Sequence, residues 1–345
     1  MKKSPTIVVF VALVVVSAAA ATSSEDLDLR AKANALLVQA QKLAVFDPNV
    51  TRTPFHESVS FLFFGLIQGD QKGTFVRDWA SKEQWRWKWE LPDYQEINVR
   101  NGGQIGERET AEFEPLRVLQ LRWALPPFHV LLGENDLVKK LELETVNGLA
   151  ARCIKFEAIR DRDRVHCEVC VNVANNTLLR WTDEQHEIDW TDYVPFGEKF
   201  YPRHLVVKEL GNKIIQADIE FRGAPDVAPK EFEIPSDMRL RKACEHFTGP
   251  IVTKQESPIH PRHAWTLPGN AVVVVEVRVG VEGKVDAAQI IETGGSDLDL
   301  MVLDAVKKWE FEPAKCDGDP VSDKGTAAIY FHPVSDKSTV AVYFH

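Results

Sequence analysis

The stretch LDLMVLDAVKKWEFEPA, residues 298–314, decides the fold of the C-terminal part of the chain. Its apolar residues recur with helical spacing and fall on one helix face: Leu298, Val302, Ala305, Val306 and Trp309. Upstream, AVVVVEVRVG (residues 271–280) alternates so that one strand face carries valines: Val273, Val275, Val277 and Val279. A turn with the sequence VEGK and a second run, VDAAQIIET, follow. Together with residues 320–332 as a last strand, this order predicts a ββαβ unit whose helix packs on the valine face.

The chain closes with two near-copies of one segment, residues 320–332 and residues 333–345, which agree at ten of thirteen positions. If the copies pair as antiparallel strands around a six-residue loop, their apolar sets align. The pairs expected in that register are Phe331 with Val340 and Ile329 with Val342. The second copy would then cover the outer edge of the first and block strand addition and aggregation there. The alternative is a recent duplication whose tail is idle, since termini fray unless something ties them down.

Several spaced motifs in this unit resemble the C-terminal domain of TonB proteins. They are HPRHA (residues 260–264), VRVGVEGKVDAAQIIETGGSD (residues 277–297), the stretch quoted above and DGDPV (residues 317–321). His260 stands where that family has Tyr. The resemblance covers about residues 260–332 and implies binding, without catalysis, of a short extended segment of an outer-membrane receptor by strand addition. The edge strand that it implies comprises Ala328, Ile329, Tyr330, Phe331 and His332.

The N-terminus predicts export. Lys2 and Lys3 precede an apolar run of 15 residues (residues 7–21) that ends in small residues, which is typical of a signal peptide cleaved near Ala21. The run is short for a membrane span, although a retained anchor in the inner membrane is the alternative. The formal net charge of −10 argues against nucleic acid as a partner. The expected location is the periplasm.

The middle of the chain, about residues 25–222, opens with a helical pattern and continues as short alternating runs, which predict an antiparallel curved sheet. The segments GTF, WRW, CVNVANNTLLRW and FYPRHLVVKEL resemble those of LolA-like lipoprotein carriers, a resemblance that implies a half-barrel with an apolar concave face. Three tryptophans, Trp85, Trp87 and Trp89, share one strand face. We expect them to be buried in the core, and lining an apolar cavity for a lipid is the alternative.

The five cysteines allow several pairings. A hairpin that turns at residues 161–162 places Cys153 opposite Cys170, so these two could form a disulfide, and Cys244 could pair with Cys316. A redox role for Cys167 and Cys170 in CEVC is disfavoured, because residues i and i+3 of a strand face opposite ways. No nucleotide or catalytic triad motif is present, and we expect neither an enzyme nor a metal or cofactor.

The predicted fold is therefore α+β, with a LolA-like half-barrel behind an N-terminal helix and a small TonB-like ββαβ domain. The expected boundaries are residues 1–21 for the signal peptide, 22–223 for the half-barrel, 224–268 for a linker and 269–345 for the last domain with its duplicated strand. The expected function is that of an exported adaptor that binds an envelope protein, such as a TonB-dependent receptor. The alternatives are a periplasmic carrier of lipid or lipoprotein, and an energy-transducing TonB protein if the N-terminal helix is retained.

Overall fold

The computed structural model describes residues 24–43, 53–65, 69–126, 132–160, 163–224, 229–258, 271–331 and 338–343. The predicted signal peptide and His332 lie outside these residues. Within them, no helix is both long enough and apolar enough to cross a membrane.

A single open sheet of thirteen antiparallel strands dominates the structure. The chain enters through helix α1 (Ser24–Lys42) and then forms β1 (Phe55–Phe63), β2 (Gln71–Ser81), β3 (Gln84–Glu90), β4 (Gln95–Asn101) and β5 (Gln104–Glu109). Helix α2 (Leu116–Ala124) precedes β6 (Leu137–Val146), β7 (Leu149–Arg160), β8 (Asp163–Asn172), β9 (Leu178–Thr182), β10 (His186–Phe196), β11 (Lys199–Glu209) and β12 (Asn212–Gly223). Each strand pairs with its neighbour in sequence on either side of α2, and pairing of β1 with β12 joins the two halves. The predicted antiparallel sheet behind an N-terminal helix is confirmed.

Both helices are packed into the main core of this sheet. The α1 side chains that reach it are Ala33, Leu36, Leu37 and Ala40, and those of α2 are Val118, Leu121 and Ala124. The apolar spacing of α1 therefore serves to bury one side of the helix against the strands.

A buried ion pair interrupts this core. The carboxylate of Glu57 on β1 is fully buried, lies 2.5 Å from the guanidinium of Arg77 on β2 and accepts a hydrogen bond from the Tyr201 hydroxyl. The guanidinium of Arg77 also donates to the carbonyl of Pro126. Buried charges need such partners because isolated ions are strongly destabilised away from water.

The residues expected to form a linker instead contain short strands. After a 3-10 helix (Pro229–Phe232), β13 (Arg239–Lys242) pairs with β5 and forms one end of the large sheet. Two further strands, β14 (Phe247–Thr248) and β15 (Ile251–Lys254), pair with strands of the C-terminal unit. These strands are exposed and two to four residues long, so no alternation of apolar residues marks them in the sequence.

The C-terminal unit has the predicted ββαβ order. Its elements are β16 (Ala271–Val279), β17 (Val285–Glu292), α3 (Ser296–Val306), β18 (Glu310–Glu312), β19 (Ala314–Cys316), β20 (Asp319–Val321), β21 (Asp323–Phe331) and β22 (Ser338–Tyr343). The main sheet has the order β17-β16-β21-β22. The valine face of β16 is fully buried against α3 and Trp309, so the helix and strand faces predicted from the sequence meet as expected.

The turn between β16 and β17 requires glycine at one position. Gly283 has φ of +74°, and a Cβ there would lie 1.9 Å from the carbonyl oxygen of Phe311. The same residues exchange a backbone hydrogen bond, from the N–H of Phe311 to the carbonyl of Gly283 at 2.8 Å. This close approach fixes the turn against the segment that follows α3.

Candidate functional site

The strand that the sequence presents as an open edge is covered. One side of β21 pairs with β16 along its whole length, and the other side pairs with β22 from Thr326 opposite Tyr343 to Phe331 opposite Ser338. The role of Ala328, Ile329, Tyr330 and Phe331 as a partner-binding edge stays a prediction, whereas pairing of the second copy with the first, one of the two alternatives for the tail, is observed. In β21 itself, Ala328, Ile329 and Phe331 are buried.

The register of the two copies differs by two residues from the expected one. Val340 lies opposite Ile329 rather than Phe331, and Val342 lies opposite Ala327. A slip of two residues leaves every residue on its original face, so an alternating apolar pattern does not discriminate between the two registers. In the observed register the connection between β21 and β22 is six residues long, residues 332–337.

The opposite end of this four-stranded sheet is formed by β17. Within the described part of the chain, no strand pairs with the outer side of β17. The sheet thus has one uncovered edge at β17 and one edge at β21 that is covered only by the tail.

The face of β16 and β21 that points away from α3 is docked on the large sheet. The backbone N–H of Glu114 donates to Oε2 of Glu276 on β16 at 2.8 Å. Two ion pairs flank this hydrogen bond: Arg278 with Glu112 at 2.7 Å, and Lys324 with Glu109 at 2.8 Å. Glu276 and Arg278 alternate with valines at the end of β16, and this alternation marks a second, polar face of the strand. In the structure that face lies in the junction with the large sheet.

A carboxylate-rich cluster lies behind this junction. The guanidinium of Arg122 on α2 contacts Glu96 and Glu114, each at 2.6 Å, and the hydroxyl of Tyr94 donates to Glu96 at 3.0 Å. Burial raises the pKa of Glu114 to about 7 despite the nearby guanidinium, and burial likewise raises the pKa of Glu276 to about 7. Burial therefore disfavours the ionised form of both carboxyl groups.

A second polar cluster lies at the β17 side of the junction. His186 is 3.3 Å from a carboxylate oxygen of Asp183 and 3.6 Å from one of Glu209. Burial alone would lower the pKa of His186, but the two carboxylates outweigh it and raise the pKa to about 9. Arg117 on α2 also pairs with Glu209, at 3.3 Å.

Between the two units lies a cavity of about 950 Å³. The sheet face that carries the tryptophans lines this cavity. Beyond β3 the residues on the same face are polar or charged. Trp87 lies opposite Asn98 on β4, Asn98 opposite Glu107 on β5, and Glu107 opposite Arg239 on β13. Trp87 lines the cavity, whereas Trp89 is buried beside Phe75 in the core. Trp85 is half-buried and stacks beside Trp87, with ring centroids 5.1 Å apart. The stripe thus divides between core and cavity wall, and the wall carries many charged side chains beside apolar ones.

Two disulfides stabilise the structure. One joins Cys153 to Cys170 across β7 and β8, and Cys167 is a buried thiol outside both disulfides. The other joins Cys244, just after β13, to Cys316 on β19. Because CEVC contributes only one of its two cysteines to a disulfide, the motif does not form the internal bridge of a thiol oxidoreductase.

Comparison with known proteins gives one family match. Residues 257–333 match the family described as Gram-negative bacterial TonB protein C-terminal. The match spans the four motifs and the ββαβ order, so the C-terminal unit (residues 271–343) is called the TonB-like unit below. This family belongs to the cell envelope. No curated protein matches the chain.

Several solved structures resemble the chain at low sequence identity. A putative outer membrane lipoprotein-sorting protein domain from Vibrio parahaemolyticus has 10% identity and a TM-score of 0.36, covering 59% of this chain and 97% of its own. A LolA superfamily protein from Nitrosomonas europaea has 9% identity and a TM-score of 0.35, covering 58% and 96%. In the MucA/MucB complex from Pseudomonas aeruginosa the matched chain has 10% identity and a TM-score of 0.29, covering 90% and 92%.

Proposed function

We propose that this chain is an envelope adaptor that recognises an extended segment of a partner protein by adding it as a strand beside β21. The observation that carries the proposal is the pairing of β22 along the outer side of β21 over six residue pairs. A strand of the chain's own tail already occupies this position, so the position accepts an added strand. The TonB family match to residues 257–333 supports the same mode of recognition.

The tail would act as an internal competitor. A tethered strand has an effective concentration of about a millimolar or more, so a free segment must either bind tightly or be present at a high local concentration to displace it. The role of the tail would then be to restrict binding to partners held close to this protein, such as an outer-membrane receptor. It would also protect the edge from uncontrolled pairing between copies.

The proposed role is binding rather than catalysis. Strand addition uses backbone donors and acceptors, and it needs neither a reactive side chain nor a cofactor. Carriage of a lipid is the alternative role, and in the described residues the apolar sides of α1 and α2 are packed into the main core of the large sheet.

The experiment uses a chain that ends at His332 and fluorescent extended peptides taken from the N-terminal segments of TonB-dependent receptors. We expect at least one peptide to bind, and we expect binding to be lost when alternate backbone N–H groups of that peptide are methylated, since methylation removes ladder hydrogen bonds and leaves the side chains unchanged. If no extended peptide binds the shortened chain, or if the methylated peptides bind equally well, recognition by strand addition is wrong.

A further inference from the structure

The raised carboxyl pKa values of this chain are concentrated in one place. Among the described residues, four carboxyl groups have a pKa clearly above the ordinary value: Glu114, Glu276, Glu292 and Asp323. All four lie where the TonB-like unit meets the large sheet. Burial is the largest cause in each case, so it is the contact between the two units that makes these groups unfavourable as anions.

The charges around Glu276 explain why burial is not compensated there. Its side chain is 3% exposed, and its hydrogen-bond partner is the uncharged N–H of Glu114. The charged groups that face it across the junction are Glu109 and Arg122 from the large unit and Lys324 from β21. Lys324 is already paired with Glu109, and Arg122 is already shared by two carboxylates. On β16 itself, Arg278 is engaged by Glu112.

The same imbalance extends to Glu114. The groups that act on it are Arg122, Glu96 and Glu276, so one guanidinium faces three carboxylates. Counting Glu109 and its lysine partner, the cluster has four carboxyl groups and two cations. Four anions held by two cations in a partly buried site are unfavourable, and the cluster is relieved either by binding protons or by separating the two units.

The other two groups report the same effect at neighbouring places. Glu292 at the end of β17 faces Glu209, with Arg117 and His186 as nearby cations. Asp323 at the start of β21 faces Glu107 and Arg241 of the large sheet, with its neighbour Lys324. The strain from ionisation is therefore distributed along the whole docked face rather than confined to one residue.

We propose that the junction between the TonB-like unit and the large sheet is a pH-responsive joint, docked at mildly acidic pH and loosened as the pH rises, with the Cys244–Cys316 disulfide as its permanent tether. The disulfide connects the segment after β13 to β19, so it holds the unit to the large sheet when the ionised face separates. Both of its cysteines and the Glu114–Glu276 contact line the cavity between the units, so loosening the contact widens that cavity.

The size of the effect follows from the change in proton affinity. A carboxyl group with a pKa of 4.5 when the units are apart and about 7 when they are docked lowers the docked-to-open ratio as it ionises. The linkage relation gives a decrease of roughly 70-fold between pH 5 and pH 8 for one such group. The sign is that of a raised acid: the stabilisation of docking is complete below about pH 4.5 and is lost as the pH rises towards 7.

The contact itself supplies the reporter. The N–H of Glu114 is hydrogen-bonded across the junction, so its protection against hydrogen exchange measures docking. We would follow peptides that span residues 110–118 in the full chain from pH 5 to pH 8, correct for intrinsic exchange, and use residues 151–158 of β7 as the internal reference. We expect the protection of the first segment to fall by at least 10-fold while the reference stays constant.

Two variants make the result specific. Glu276→Gln keeps an oxygen acceptor for the Glu114 N–H but does not ionise, so its protection at pH 8 should exceed that of the parent by at least 10-fold. Glu282→Gln removes the same charge from an exposed turn of the same unit and should behave like the parent. A protection factor in the parent chain that is constant with pH overturns the proposal without any variant, and so does a Glu276→Gln variant that loses protection as steeply as the parent.

Discussion

Removal of residues 333–345 tests the competitor role of the tail most directly, because it uncovers the outer side of β21 without altering the core. Six residue pairs form between β21 and β22, which corresponds to about six hydrogen bonds in an antiparallel ladder. At about 1 kcal/mol net for each, pairing contributes about 6 kcal/mol, if side-chain contacts offset the entropy lost by the strand. A free strand with that free energy would have a Kd of about 30 μM.

At an effective concentration of about 1 mM, a tail of this affinity occupies the edge about 30 times as often as it leaves it free. A peptide that binds beside β21 should therefore bind the shortened chain about 30-fold more tightly than the full chain. Fluorescence anisotropy with a labelled receptor peptide measures both constants. The control is a full-length chain in which residues 333–345 are replaced by a Gly/Ser segment, which should match the shortened chain. Equal affinity for the full and shortened chains would show that the tail does not compete, and the competitor role would have to be abandoned.

Three further outcomes follow from the described contacts. Arg77→Met should lower the free energy of unfolding in urea by about 3–5 kcal/mol, because Glu57 loses its cationic partner in the core. The double variant Glu57→Leu/Arg77→Met should recover part of that stability. A loss below about 1 kcal/mol in the single variant contradicts the buried pair. The raised pKa of His186, about 9, means that the stabilisation it contributes is complete below about pH 6.5 and is lost as the pH rises towards 9; an NMR titration of its ring should show a midpoint well above 7, and a midpoint near 6.5 would refute the carboxylate contacts. Gly283→Ala should destabilise the TonB-like unit by more than about 2 kcal/mol. The control Gly148→Ala, at φ of +77° with open space around it, should cost about 1 kcal/mol. Equal decreases in the thermal unfolding temperature of the two variants would indicate that the turn at Gly283 can relax.

The sequence was most informative where one face of an element is apolar and the other is not. The valines of β16 and the apolar face of α3 predicted their own contact, because periods of two and of about 3.6 residues are visible without knowing the partner. The tryptophan stripe predicted a shared face, but the face extends over several strands. The apolar part of this face ends at β3, and its charged part begins at β4. Where one part meets the other depends on which strands pair, and the pattern of a single strand does not encode that pairing.

The junction could not be predicted from the sequence for a different reason. Its residues are charged, and a charged residue in a strand is ordinarily a solvent-facing one. Glu276 becomes buried only because a distant turn, at Glu114, supplies an N–H to it. Likewise, β13 is identified only by its partner β5, since its four exposed residues have no periodicity of their own.

The duplicated segment has a consequence for how the chain reaches its folded state. The place beside β16 is offered two almost interchangeable strands, so the chain can thread either copy into it during folding. The sequences of the two copies differ at few positions. One of these positions is Ala327, which is fully buried and which corresponds to Val340 in the second copy. A larger side chain forced into that filled space typically costs about 1–3 kcal/mol. The small side chain of Ala327 thus favours the first copy as the inner strand, and enlarging Ala327 to valine would weaken that preference.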